Sequence, residues 1–193
     1  MALDENKLKQ ALIDNYQNIK DNRLSIKDSA DGMAKAIVDY ATDAEVIINA
    51  PPTIPGSPPV PDTSVVGKKA KVTTPTIGQR ALQIGILGSL TEMINGDDDE
   101  MALLTTSIVI FAATFLNYKS SSGTLVKGTT LMSSPPILKS AIEKGMKGGK
   151  LEDVVGEMTR IINKSFKTTI FTGVVTNPST GATIPGTVVG TLQ

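Results

Sequence analysis

The chain has 193 residues, 40% of them hydrophobic, which is enough for a single globular domain (1–193) with a sizeable core. Lysine plus arginine equal aspartate plus glutamate, at 19 each, so there is no basic footprint for the phosphates of a nucleic acid. The sequence has no cysteine and no histidine, which excludes disulfides, zinc sites built on those residues and histidine-based catalytic triads. We therefore predict neither an enzyme nor a nucleic-acid-binding protein, and we expect no cofactor.

Two helices and a short strand are predicted in residues 1–49. Apolar residues recur at helical spacing over 4–20 and again over 28–43. The short polar link 21–27 between these two segments is typical of a helical hairpin. The β-branched residues of 45–49 then indicate a strand.

The second of these helices has a continuous inner face of apolar and small side chains. Asp28 or Ser29 is the expected N-terminal cap, because a side-chain oxygen there can accept a free backbone N–H. Small alanines in the face allow another helix to approach closely. The predicted inner face consists of Ala30, Met33, Ala34, Ile37, Tyr40, Ala41 and Ala44.

A proline-rich arm is predicted over 50–62, which holds six of the 11 prolines. Proline fixes φ and lacks an N–H, so this segment is expected to be extended, and neither a helix nor a central strand. It could serve as a semi-rigid spacer, lie on a partner protein, or bind an SH3 or WW domain. Residues 63–72 return to a strand-like composition.

A central helical pair is predicted over 76–118, and its first helix spans 76–95. Gly78, Gly85 and Gly88 lower the intrinsic helix propensity of that segment. In a packed interior the same glycines would permit close contact with a neighbouring helix.

An acidic run separates the two central helices, and it consists of Asp97, Asp98, Asp99 and Glu100. As the start of the second helix, these side chains would cap backbone N–H groups and complement the helix dipole. As a cluster of carboxylates, they could bind a cation. We favour the helix start and keep the cation site as an alternative, although an EF-hand is excluded because Ile108 stands where its bidentate glutamate belongs.

Residues 101–118 contain no charged side chain. Such a segment could insert into a membrane, but it includes several polar residues and is short for a bilayer. We therefore predict a central core helix that is buried on all sides. A loop over 119–123 and a short strand over 124–126 are expected to follow.

A second helical pair is predicted over 137–167, with one helix over 137–147 and the other over 151–167. The remaining residues, 168–193, alternate like a β-hairpin tail. Because proline cannot donate to a strand ladder, Pro185 predicts that the second strand of this tail lies at a sheet edge.

The two ends of the chain resemble each other without a gap at an offset of 124 residues. Residues 32–40 align with 156–164, and the strand-like 45–48 aligns with 169–172. This pattern indicates an internal duplication in which each helix is followed by a β segment. The predicted fold is therefore mainly α with β arms (α+β), with a helical-hairpin core and the strands gathered on one side.

The segment Met33–Tyr40, followed by Ala44–Ile48 and a proline-rich stretch, resembles small virion structural proteins of tailed bacteriophages. The Thr/Gly/Val-rich terminus Gly173–Gly190 is similar in style. The resemblance implies a structural subunit of a tail, neck or baseplate, located in the virion and assembled in the host cytoplasm. It implies copies of the same chain and other virion proteins as partners, without a small-molecule substrate. Independently of the resemblance, the neutral net charge argues against nucleic acid as a partner, and the polar residues and short length of 101–118 argue against a membrane.

Extended arms can add strands to the sheet of a neighbouring protein, so we expect the contact surface on the arms. Segments 50–62 and 172–193 are then expected to be loosely ordered in the isolated chain and ordered in an assembly. Two other functions remain open, a cation- or ligand-binding domain and a small membrane-inserted protein using 101–118. The predicted contact residues are Val46, Ile47, Ile48, Ile54, Val60, Ile170, Phe171, Val174 and Val175.

Overall fold

A computed structural model describes most of the chain. The described residues are 3–21, 23–50, 53–54, 60–61, 66–67, 69–95, 100–120, 125–127, 150–176 and 183–193. The predicted helix over 137–147 and the three aspartates of the acidic run therefore lie outside the described residues.

Helices α1 (Glu5–Lys20) and α2 (Ile26–Thr42) form the predicted N-terminal hairpin. Ser25 is the N-cap of α2, because its hydroxyl accepts the backbone N–H of Asp28 at 3.1 Å. The same hydroxyl donates to the Asp28 carboxylate at 2.6 Å, so the two residues secure the first turn together. The prediction of Asp28 or Ser29 as the cap is wrong, and α2 starts two residues earlier than expected.

Three further helices are described, namely α3 (Thr76–Asn95), α4 (Glu100–Phe115) and α5 (Leu151–Lys167). The predicted bounds of α3 and α5 are confirmed. The predicted end of α4 at residue 118 is wrong, because Asn117–Ser120 forms a strand. That strand also takes the first two residues of the predicted loop over 119–123.

The helices pack side by side in the order α5, α1, α2, α3, α4. Glycines bring α3 close to α4, as predicted. A Cβ placed on Gly78 would lie 2.7 Å from Cβ of Phe115, and one placed on Gly85 would lie 2.5 Å from Cβ of Ser107. Both distances are shorter than any normal carbon contact, so larger residues would force the two helices apart.

Eight strands are described, and six of them form one antiparallel sheet in the order β6-β5-β4-β1-β8-β7. The remaining two, β2 and β3, pair only with each other within the described residues. The fold class is thus α+β, as predicted, and the main sheet gathers strands from both ends of the chain. The strands are β1 (Glu45–Ala50), β2 (Thr53–Ile54), β3 (Val60–Pro61), β4 (Lys69–Thr73), β5 (Asn117–Ser120), β6 (Leu125–Lys127), β7 (Ile170–Thr176) and β8 (Thr183–Leu192).

The six-stranded sheet curls until its two outermost strands, β6 and β7, lie next to each other. Tyr118 of β5 and Phe171 of β7 meet edge to face, with their ring centroids 5.8 Å apart. Each of these rings is at most 1% exposed, so the curl builds an aromatic part of the core.

Strand β8 is not at the edge of the sheet, and the prediction made from Pro185 is wrong for the strand as a whole. Residues 189–192 of β8 pair with β1 on one side while β7 pairs on the other. Pro185 lies in the first half of β8, where β7 pairs at positions 183 and 184 and no pairing with β1 occurs. The proline therefore limits the pairing of β8 to one neighbour only in the half of the strand that contains it.

The described residues of the proline-rich segment 50–62 are extended, as predicted, and lie in strands. Thr53 pairs with Pro61 and Ile54 with Val60, which makes a small antiparallel ladder. Strand β2 of this ladder packs close to β8, so these residues lie against the folded chain.

Burial supports the helical half of the predicted duplication. At the offset of 124, Ala34 aligns with Met158 and Ile37 aligns with Ile161, and all four side chains are buried. These residues belong to one hydrophobic core that helices and sheet share.

The strand half of the alignment is out of phase. Buried Val46 aligns with half-buried Ile170, and half-buried Ile47 aligns with buried Phe171. Because a shift of one residue turns every side chain to the other face of a strand, the offset of 124 does not extend into the sheet.

Candidate interaction surface

An exposed apolar surface lies on the hairpin of α3 and α4. Five of the six large hydrophobic side chains that are exposed in the described part of the chain belong to these two helices. Such a concentration is a sign of a binding surface, because single exposed hydrophobic residues are normally scattered. We call this set the hairpin face, and it consists of Ile77 (65% exposed), Ile84 (62%), Ile94 (58%), Leu103 (40%) and Ile110 (51%).

The hairpin face exists because α3 is apolar on more than one side. Leu82, Ile86 and Leu90 are at most 3% exposed and point into the core. Ile77 and Ile84 lie on the opposite side of the same helix. The neighbours α2 and α4 pack against α3 without covering that side.

The exposed side of α4 adjoins α3 at Leu103. Leu103 and Ile110 are seven residues apart and therefore lie on the same side of α4. Cδ1 of Leu103 lies 4.0 Å from where a Cβ on Gly88 would be, which brings it beside α3. A shallow groove runs along α3 and is lined by Thr76, Ile77, Arg80, Ala81 and Ile84.

The chemistry of the hairpin face is that of a binding surface. Its members are aliphatic, and Arg80 is the charged residue within the groove. Aliphatic side chains offer no nucleophile, acid or base, but they gain free energy when another apolar surface removes them from water. The arrangement therefore suits a protein contact, in particular a helix laid along α3.

A second concave region lies between α1 and α2, and it encloses about 350 Å³ that is partly open to solvent. Two of its three carboxylates are paired with lysines, and the third, that of Asp4, accepts the backbone N–H of Lys7. Lys7 Nζ lies 2.6 Å from Asp43, and Lys35 Nζ lies 2.6 Å from Asp39. Asp43 raises the pKa of Lys7, first through the hydrogen bond between them and then through its charge.

A hydrogen-bond chain joins three helices beneath this cleft. Tyr40 of α2 donates to Oδ1 of Asn163 at 2.6 Å, and Asn163 of α5 donates to the Glu5 carboxylate of α1. Burial raises the pKa of Tyr40 above its ordinary value, and Glu5 and Asp4 raise it further. The hydroxyl therefore keeps its proton at neutral pH, which suits a structural donor and not a general base.

The acidic run predicted as a weak cation site lies almost wholly outside the described residues. Asp97, Asp98 and Asp99 are not described, and Glu100 is the first residue of α4. Elsewhere in the described ranges, no group of three or more acidic side chains is placed to hold a metal ion. The cation site remains a prediction.

Three of the predicted contact residues are corrected by their burial. Val46, Ile48 and Phe171 are at most 2% exposed and lie in the core of the sheet, so they are not available to a partner. Ile47 and Ile170 are half-buried. The other four lie in strands without a described side-chain environment, and these are Ile54 of β2, Val60 of β3 and Val174 and Val175 of β7.

The prediction that 101–118 is a helix buried on all sides is also wrong, because Leu103 and Ile110 of α4 are exposed. Among the helices of the described residues, none combines the length and the apolar character needed to cross a membrane.

The hairpin face was missed at the sequence level, although a signal for it exists. Ile77, Ile84 and Ile94 of α3 follow, together with Leu87, the spacing of a coiled-coil seam, although Leu87 itself is half-buried and packs against the core. Two apolar stripes on one helix require two sets of neighbours.

No protein-family model matches the chain, and no curated protein or solved structure is significantly similar to it.

Proposed function

We propose that this protein is a structural subunit that works through protein–protein contacts made by the hairpin face. The observation that carries the proposal is the concentration of exposed Ile and Leu side chains on α3 and α4. Burying such a side chain fully is worth about 1.5 to 3 kcal/mol, so several together can hold a partner. The arms, which the sequence suggested as the contact surface, are a weaker candidate because three of their residues are buried.

The assembly that we propose is the particle of a tailed bacteriophage, in its tail, neck or baseplate. This part of the proposal rests on the resemblance of Met33–Tyr40, Ala44–Ile48 and Gly173–Gly190 to small virion proteins. Copies of the chain and other virion proteins would then be the partners.

Mass spectrometry of purified phage particles tests the location, and the chain should be present at a fixed number of copies per particle. A complementation assay tests the surface. We expect Ile84→Glu and Ile110→Glu to abolish incorporation into particles, because each places a carboxylate in a contact that excludes water.

Val66→Glu is the matched control, since Val66 is 42% exposed but lies outside the hairpin face. This variant should be incorporated normally. Particles that lack the chain altogether, or that accept all three variants equally, would refute the proposed function.

A further inference from the structure

The side of the six-stranded sheet that faces away from the core carries a row of lysines. Strand β4 alternates strictly, and Lys69 and Lys71 lie on its exposed side. Lys119 of β5 pairs directly with Lys71, which places both on the same face of the sheet. Lys127 of β6 pairs with Asn117, two residues before Lys119 and therefore on that face as well. We call these four positions the lysine face, and they are Lys69, Lys71, Lys119 and Lys127.

The positive charge of the lysine face is not balanced within the described strands. On the outward positions described for β1, β4, β5 and β6, the four lysines meet one acid, Glu45, which leaves a net charge of +3. The Glu45 carboxylate is bonded to Nζ of Lys69 at 2.7 Å. Lys71 and Lys119 stand directly opposite each other, which is unfavourable for like charges on paired strands. An anion bound between these two lysines removes that repulsion.

The chemistry of the lysine face favours the carboxylates of a protein over the phosphates of a nucleic acid. The described outward positions of β1, β4, β5 and β6 include no aromatic ring on which a base could stack and no arginine. The chain as a whole is neutral and has no general attraction for phosphates. The same chain carries four consecutive acids, the acidic run 97–100, whose charge is opposite to that of the lysine face.

The acidic run is too far along the chain to reach the lysine face of its own copy. Helix α3 begins just after β4, and α4 ends just before β5. The run joins the other ends of these helices, and α3 with its 20 residues is about 30 Å long. The link from Asn95 to Glu100 spans at most about 18 Å when fully extended. Both helices also share the core, which lies on the opposite side of the sheet from the lysine face.

We infer that the lysine face binds the acidic run of a second copy of the chain. The contact joins two different surfaces of identical subunits, so it is a head-to-tail contact. Each copy still has one unused face and one unused run, and the contact therefore repeats to build a ring or a filament. This surface is separate from the hairpin face and goes beyond the proposed function.

Sedimentation velocity of the full chain tests the association. We expect species larger than a dimer in about 20 mM NaCl and monomers in about 500 mM NaCl, because salt screens exposed charges. The face variant, Lys71→Gln with Lys119→Gln, should raise the dissociation constant about tenfold, since it removes two ion pairs. Lys20→Gln with Lys27→Gln is the matched control, because it removes two exposed lysines from α1 and α2. This control should associate like the unmodified chain.

A mixing experiment tests whether the contact is head-to-tail. The run variant, Asp98→Asn with Asp99→Asn, should be monomeric alone at the concentrations where the face variant is also monomeric. An equimolar mixture of the two should form a dimer and nothing larger. The face variant supplies an intact run and the run variant an intact face, so only one contact can form between them. A mixture that sediments as two monomers would overturn the inference.

Three other results would also overturn it. One is an unmodified chain that stays monomeric at low salt up to near-millimolar concentration. Another is an association that neither the face variant nor the run variant weakens. The third is binding of duplex DNA that the face variant loses, without any self-association, since a nucleic acid would then be the partner. Ile84→Glu alters only the hairpin face and should leave the association unchanged, so this contact and the proposed function can fail separately.

Discussion

Tyr40 and Tyr118 occupy similar sites that differ in one hydrogen bond. Each ring packs edge to face on a phenylalanine, with centroids 5.7 Å apart for Tyr40 on Phe166 and 5.8 Å apart for Tyr118 on Phe171. The Tyr40 hydroxyl donates to Asn163, while the Tyr118 hydroxyl is buried without a partner among the described residues. A comparison of the two tyrosines therefore isolates the contribution of one hydrogen-bonded hydroxyl to the free energy of unfolding.

We predict that Tyr40→Phe lowers the free energy of unfolding by about 1 to 2 kcal/mol, because it leaves the buried amide oxygen of Asn163 without its donor. Tyr118→Phe should be neutral or stabilising, since it removes an unpaired polar atom and keeps the ring. Urea unfolding followed by circular dichroism measures both. Equal effects of the two substitutions would show that the hydrogen bond to Asn163 contributes nothing.

At the scale of the element, the contact between α3 and α4 depends on glycine. A Cβ added to Gly85 would overlap the side chain of Ser107, whose hydroxyl is already bonded to the carbonyl of Leu103 at 2.7 Å. A Cβ on Gly156 of α5 would meet only the end of the Lys9 side chain, with Nζ at 3.2 Å. A flexible lysine can move away, but a serine Cβ attached to a packed helix cannot.

We predict that Gly85→Ala lowers the free energy of unfolding by about 1 to 3 kcal/mol, because overpacking outweighs the gain in helix propensity. Gly156→Ala is the matched control and should raise the free energy of unfolding by up to about 1 kcal/mol. Thermal unfolding of both variants measures the difference. Stabilisation by both alanines would mean that α3 and α4 are not in close contact at Gly85.

At the scale of the whole molecule, burial of tyrosine links stability to alkaline pH. The chain has three tyrosines, and burial raises the pKa of Tyr118 and of the half-buried Tyr16 to about 12 and that of Tyr40 as well. In the unfolded chain, each is expected to titrate near its ordinary value of about 10. Because the folded pKa values are higher, the stabilisation is complete below about pH 10 and is lost as the pH rises further.

The free energy of unfolding should therefore fall by up to about 1.4 kcal/mol per pH unit for each tyrosine between about pH 10 and pH 12. The near-ultraviolet absorbance of tyrosinate should appear together with the loss of circular dichroism. In urea the same absorbance change should occur near about pH 10. A folded protein that titrates all three tyrosines near that pH would contradict their burial.

Helices whose signals are local could be predicted from the amino-acid sequence alone. The bounds of α3 and α5 and the inner face of α2 follow from apolar spacing, because the period of 3.6 residues belongs to each helix alone. The α+β class and the C-terminal hairpin follow in the same way, because the period of the apolar residues changes from 3.6 in the helices to two in the strands. The start of α2 was missed because Ser25, Asp28 and Ser29 are all chemically able to cap, and only the folded backbone selects one.

Which apolar side chains are buried depends on the packing of elements that are distant in sequence. α3 is apolar on several sides, so its neighbours determine that Leu82 faces the core and Ile84 faces outward. In the same way, β8 lies between β1 and β7 because its pairing joins residues far apart in sequence, which no local pattern encodes. The contact surface moved from the predicted arms to the hairpin face because sheet closure buries Val46, Ile48 and Phe171 and leaves one side of α3 uncovered.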